Sequence, residues 1–274
     1  MTNRYQIENC LGAFNQDYRH FIRQTPLWKL PGKALGVACA EVWLKLEHLQ
    51  TGGSFKARGM LNRLLSNPIP PSGVIVASGG NAGIATAAAA KELGVHCEVF
   101  VPEVSSAAKR ARLAALGARV VVTGAAYADA LQACLARQRE TGALLTHAYD
   151  QPEVLTGAGT LALEIEQQGG VPDSVLVSVG GGGLIGGVAS WFEQRSRVVA
   201  LEPELAPTLF KALQGRRAGG RGHQRHCGRF AGRQAHWRSG VGRDPGPCAR
   251  CAAAQRRIHP GSAVVALERT ETGR

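Results

Sequence analysis

Between about residues 73 and 214, apolar strand patterns and helical patterns alternate, pausing at 144–154 and then resuming. "GVIVAS" (73–78) reads as a buried strand, "NAGIATAAAAKELG" (81–94) as a helix closed by Gly94, and "VHCEVFVP" (95–102) as the next strand. "SAAKRARLAALG" (106–117) is a helix stopped by Gly117, "ARVVVTG" a strand, and "AYADALQACLARQRETG" (126–142) a helix. After "LLTHAYDQPEV" come the helix "GAGTLALEIEQQGG" (157–170), the strand "DSVLVSV" (173–179), a glycine turn opening a helix in "GGGGLIGGVASWFEQR" (180–195), and the strand "RVVALEP" (197–203). Such alternation demands βαβ crossovers and a parallel sheet covered by helices. The fold class is α/β, and no tandem repeat interrupts it.

Upstream, "VWLKLEHLQ" (42–50) alternates like a half-buried strand and "GMLNRLLS" (59–66) has helical spacing. The stretch between them, "GGSFKARG" (52–59), puts Lys56 on a strand-to-helix connection, where α/β folds gather ligand-binding groups. Lysines are usually solvated, so Lys56 needs a reason to be here. "SVGGGGLIGG" (178–187) supplies a candidate partner: glycines let a ligand approach the backbone, and the following helix start offers free N–H groups suited to a phosphate. Read alone, Gly181, Gly183 and Gly186 also satisfy G-x-G-x-x-G, with Glu202 placed as the ribose acid of a dinucleotide fold. A second anion cradle is offered by "ASGGNAG" (77–83), through the N–H groups of Ser78, Gly79, Gly80, Asn81 and Ala82. One cradle could hold a cofactor phosphate and the other a substrate carboxylate. A lysine amine forms a Schiff base with an aldehyde, and pyridoxal 5′-phosphate carries both that aldehyde and a phosphate.

"SFKARG", "ASGGNAG", "GAGT" (157–160) and "SVGGGGL" occur in that order, and over roughly residues 15 to 214 the chain resembles the fold type II pyridoxal-phosphate enzymes, specifically the serine/threonine dehydratase and serine racemase group. The resemblance implies the two-domain, parallel-sheet fold of the tryptophan synthase β-like class. Residues 1–72 and 146–214 would form an incomplete large cofactor-binding domain, and 73–145 a small mobile domain carrying the substrate loop. It further implies that Lys56 is the Schiff-base lysine, that Phe55 lies against the cofactor ring and that Asn81 bonds the ring hydroxyl. The N–H groups of Gly180, Gly181, Gly182, Gly183 and Leu184 would hold the phosphate, while Ser78, Gly80, Asn81 and Ala82 would hold the substrate carboxylate. The implied activity is an ammonia-lyase, a dehydratase turning L-serine or L-threonine into a 2-oxo acid and ammonia by β-elimination, in a homodimer. Racemases of this group carry a serine where Gly79 stands, which favours dehydration here. Cysteine synthases usually carry aspartate at the position of Ala57, and Ala158 replaces a glutamine common among relatives.

The remaining features bound these expectations. The N-terminus "MTNRYQIENC" is polar and unlike a signal peptide, no stretch is apolar enough to span a bilayer, and seven scattered cysteines argue against a disulfide framework. A cytoplasmic location is expected. The net charge of +12 lies almost wholly after residue 214, where thirteen arginines and no lysine face three acids. Residues 215–274 therefore read as an atypical, irregular or disordered basic tail, with three competing origins. It could be an extension that contacts nucleic acid, or a metal site from His223, His226, Cys227, Cys248 and Cys251. The reading preferred is a change of coding frame that replaced the family's C-terminus, with no metal and no nucleic-acid partner, and with impaired turnover in this chain.

Overall fold

The computed structural model describes residues 2–217 and 266–269, with side chains through residue 213. The five candidate metal ligands of the tail lie outside the described residues.

The chain opens with helix α1 (Arg4–Asp17), whose Asn3 and Gln6 side chains form a reciprocal capping box and whose buried face is Ile7, Cys10, Leu11 and Phe14. Strands β1 (Leu27–Pro31) and β2 (Glu41–Lys45) follow as an antiparallel pair, then two short 3₁₀ turns and helix α2 (Lys56–Leu65). From there the alternation read in the sequence takes shape as β3 (Val74–Ala77), α3 (Asn81–Glu92), β4 (Cys97–Val101), α4 (Ala107–Ala115), β5 (Arg119–Val122) and α5 (Tyr127–Thr141), followed by a short strand that the sequence reading did not include, β6 (Leu144–Leu145). These four strands form one parallel sheet in the order β5-β4-β3-β6. Every residue of β3 and β4 is buried, as expected of central parallel strands covered on both faces. Gly94 and Gly117 close α3 and α4 at φ +65° and +82°; a Cβ at either would meet nothing within 4 Å, so the left-handed backbone, not lack of room, is what requires glycine.

The chain continues through α6 (Pro152–Gly169), β7 (Ser174–Ser178), α7 (Gly183–Phe192), β8 (Arg197–Leu201), α8 (Thr208–Arg217) and, far along, β9 (Ala266–Arg269). These complete a five-stranded sheet ordered β1-β2-β9-β7-β8. Only its β7–β8 pair is parallel; β9 runs antiparallel to both β2 and β7. Two pieces of the tail expected to be irregular are thus regular: α8 runs on to Arg217, and "ALER" (266–269), continuing the apolar run "AVV", is a central strand. One core lies between α1, α2, α3 and the parallel sheet around Phe14, Leu61, Val76 and Val99. A second packs α6 and α7 on β7 around Leu161, Val177, Ile185 and Trp191.

Three boundaries differ from the sequence reading, the first because the chain turns into a 3₁₀ helix at Glu47–Leu49. Strand β2 ends at Lys45, and α2 begins at Lys56 rather than Gly59. Lys45 and Arg58 look like solvated positions in a hydropathy pattern, yet both are buried, at 2% and 0% exposure. Helix α6 starts five residues before Gly157, on Pro152, which suits a first helical turn.

Candidate active site

Lys56 is the first residue of α2, entered through a turn in which Gly52 and Gly53 have φ of +74° and +80°. Its amine lies 4.9 Å from the centre of the Phe55 ring and donates to the carbonyl of Ala148. Burial disfavours the ammonium and lowers its pKa from the ordinary 10.5 to about 8, so an appreciable fraction is a neutral, nucleophilic amine near physiological pH.

Ala148 belongs to a braced connection between β6 and α6. His147 Nδ1 accepts from the backbone N–H of Asp150 at 3.1 Å and of Tyr149 at 3.4 Å. Gln151 accepts from His147 N at 2.8 Å and donates to Leu145 O at 3.0 Å. The Tyr149 ring, edge-on to His147 at 4.6 Å, rests on the glycine run: a Cβ at Gly181 would come within 2.1 Å of it, and one at Gly183 within 2.9 Å of Tyr149 Cβ. Gly182 is left-handed at φ +89° and caps α7, whereas a Cβ at Gly180 would meet nothing within 4 Å. Packing and backbone shape account for Gly181, Gly182 and Gly183, and Gly180 leaves the open approach. Lys56 and the glycine run are thereby brought to one short segment, through the adjacent residues Ala148 and Tyr149.

The second cradle opens α3. Asn81 is its first residue and is exposed, Ala82 is buried, and Gly80 N–H donates to Ser78 Oγ at 3.3 Å. Its link to Lys56 runs through Gly52, where a Cβ would stand 3.3 Å from Ile84 in the first turn of α3. Gly79 faces Ser105, whose Oγ lies 3.0 Å from where a Cβ would be.

These residues fit a phosphorylated aldehyde. The amine of depressed pKa, the aromatic ring beside it and the open glycine approach ahead of the α7 N-terminus together provide what such a group needs. They do not fit a dinucleotide as well. The Glu202 carboxylate, which that reading reserves for a ribose, accepts from Leu209 N at 2.7 Å, Phe210 N at 3.0 Å and Thr208 Oγ1 at 2.9 Å, capping α8 instead. Thr208 Oγ1 also lies 2.8 Å from Gly180 O, fastening α8 to the glycine run.

Residues 18–244 match the family described as pyridoxal-phosphate dependent enzyme. The chain belongs to this family. Within it, the chain is 39% identical over 180 residues to an L-threonine ammonia-lyase of Geobacter sulfurreducens, covering 63% of this chain and 44% of that protein. It is 34% identical to a threonine deaminase of T.th., with a TM-score of 0.70 over 78% of this chain and 69% of that one. Maize serine racemase matches at 26% identity and a TM-score of 0.69, covering 80% and 65%. The chain spans about half the length of the curated relatives it matches. The family match passes residue 214, where the sequence changes character, and runs to 244.

Sequence reasoning missed the 147–151 segment; its signal was a non-periodic, aromatic and polar stretch at the end of a parallel strand. It also missed what "GAGT" does. A Cβ at Gly157 would come within 2.3 Å of Arg58 O, one at Gly159 within 2.6 Å of Ile7, and Thr160 lies 3.2 Å from the Arg58 guanidinium. The motif packs α6 against the start of α2 and against α1.

Proposed function

We propose that this chain is built as a pyridoxal-phosphate-dependent ammonia-lyase acting on L-threonine or L-serine. The observation that carries the reading is Lys56: a lysine at a helix start, beside an aromatic ring, with burial bringing its pKa to about 8, in a chain of this family. Likeness to proteins named L-threonine ammonia-lyase and threonine deaminase supports the substrate class.

When bound, pyridoxal phosphate supplies an aldehyde that reacts with amines and a ring that draws electrons from the substrate α-carbon. The N–H groups of Gly180, Gly181, Gly182, Gly183 and Leu184 would hold the phosphate, Phe55 would flank the ring and Asn81 would meet the ring hydroxyl. Ser78, Gly80, Asn81 and Ala82 hold the substrate carboxylate. Lys56, as a neutral amine, removes the α-proton, and the Ala148 carbonyl is the acceptor for the ammonium that results. The β-hydroxyl leaves as water, taking the proton that Lys56 gained and returning the amine to its neutral form, and addition of water to the unsaturated amine left behind releases ammonia and the 2-oxo acid. Gly79 leaves the opposite face of the α-carbon without the serine proton donor of racemases, which favours elimination.

Residues 73–145, which contain the parallel sheet, act in this reading as a small domain that moves the carboxylate loop over a large domain of 1–72 and 146–214. A cytoplasmic homodimer belongs to the same reading. Among the described residues no helix is long and apolar enough to cross a membrane, and no group of three or more His, Cys, Asp or Glu is placed to hold a metal ion.

Ammonia and 2-oxo acid released from L-threonine and L-serine, with and without added pyridoxal phosphate, test the activity. Product that depends on the cofactor and is lost in Lys56→Ala is the expected result. None from the folded, cofactor-loaded chain would remove it. A change of coding frame after residue 214 predicts turnover well below the roughly 10 s⁻¹ typical of enzymes, and a rate near that value would refute the impairment.

A further inference from the structure

Helix α2 begins without help from its own sequence. Its N-cap residue, Phe55, makes no side-chain hydrogen bond to the free N–H groups of the first turn. Uncapped first turns are where helices fray, yet this one carries Lys56. Two residues on, about 200° around the helix, Arg58 emerges on the opposite side. It is fully buried and gripped from two directions. Nε and one terminal nitrogen bond both oxygens of Glu47, at 2.9 and 2.8 Å. The two terminal nitrogens bond both oxygens of Glu164, at 2.7 and 2.8 Å. Lys45 completes the group, donating to Glu164 at 2.7 Å, Thr25 O at 2.7 Å and Gln168 at 2.9 Å.

The group ties β2, the turn after it, α2 and α6 to one point behind Lys56, with two cations balancing two anions. Stability alone is a poor reason to keep it, because well-packed apolar side chains often replace buried ion pairs without loss. What two opposed forks provide that apolar packing does not is a fixed direction. Gly157 of α6 packs against the Arg58 backbone and Thr160 accepts from its guanidinium at 3.2 Å, so any shift of Arg58 moves the backbone that carries the amine.

We infer that Arg58, with Glu47, Glu164 and Lys45, is a positioning device that holds the Lys56 amine at its reacting place from the far side of the helix. The inference rests on the cofactor reading of Lys56. Its test is the rate at which pyridoxal phosphate becomes attached to Lys56, trapped with borohydride and quantified on the Lys56 peptide by mass spectrometry. Wild type is compared with Glu164→Gln, and urea unfolding establishes the folded fraction of each. Loss of position slows trapping per folded molecule by about 10- to 100-fold. Should Glu164→Gln fail to fold, the double variant Lys45→Met with Glu164→Gln keeps the interior neutral while still removing one fork, and it too should trap slowly. A folded variant that traps at the wild-type rate overturns the positioning role and leaves the cofactor reading standing. Wild-type protein that traps nothing on Lys56 overturns both.

Discussion

Helices α2 and α3 both begin at the candidate site without a side-chain cap, and they are held in opposite ways. Behind the start of α2 stands a fully buried guanidinium between two carboxylates. At the start of α3, Gly80 and Asn81 are exposed, and a single 3.3 Å bond from Gly80 N–H to Ser78 braces the turn. In the proposed function, the difference matches two chemical tasks. An amine that must form a bond and move a proton has to be fixed to a fraction of an ångström, while a loop that must admit and then enclose a carboxylate has to give.

Breaking the rigid side should cost most. Arg58→Met leaves Glu47 and Glu164 buried and facing each other, and urea unfolding should show a loss of about 3–5 kcal/mol. Asn81→Ala, at the loose helix start, should stay within about 0.5 kcal/mol; equal costs would erase the contrast. Next in size, Gly157→Ala forces a Cβ to within 2.3 Å of Arg58 O and should destabilise by about 1–3 kcal/mol. Gly80→Ala, whose Cβ meets nothing closer than 4.0 Å, should be near neutral in the same assay.

Lys56 extends the contrast through pH. Its folded-state pKa of about 8 lies below the ordinary 10.5, so between those values the unfolded chain holds a proton that the folded chain has released. The stability of the cofactor-free protein therefore rises with pH across that window, and below it the penalty for the half-buried ammonium no longer changes. Lys56→Met should be more stable than wild type at pH 7, by about 1–2 kcal/mol, with the gap closing towards pH 10. A smaller effect than that of Lys56→Met belongs to Gly79→Ser. Its Cβ crowds Ser105 Oγ, the end of a side chain that can rotate, so the cost should be below about 1 kcal/mol and should be relieved by adding Ser105→Ala.

Much of this was legible in the sequence because the signals are local. Strands β3, β4, β5, β7 and β8, the helices α3 to α7 between them and the glycine stops at Gly94 and Gly117 each declare themselves within a short window, whereas the two-residue β6 does not. Four ordered motifs were enough to reach the family. What escaped depends on distance along the chain: Lys45 meets Glu164 across 119 residues, and β9 enters the sheet from residue 266, between strands that precede it by scores of residues. Hydropathy reads a buried, paired arginine as a solvated one, so the group that anchors α2 looked like the polar edge of a helix. Tyr149 was hidden for a related reason, since the need for glycine at 181 appears only when the ring is seen resting on it.

Whether Lys56 is the residue this fold presents to pyridoxal phosphate is decided by the near-visible absorption spectrum of the purified chain with added cofactor, beside Lys56→Ala. A band from lysine-bound cofactor is expected in the wild type, with its loss in the variant. Folded wild-type protein with no such band, or a band that survives in Lys56→Ala, would contradict that assignment.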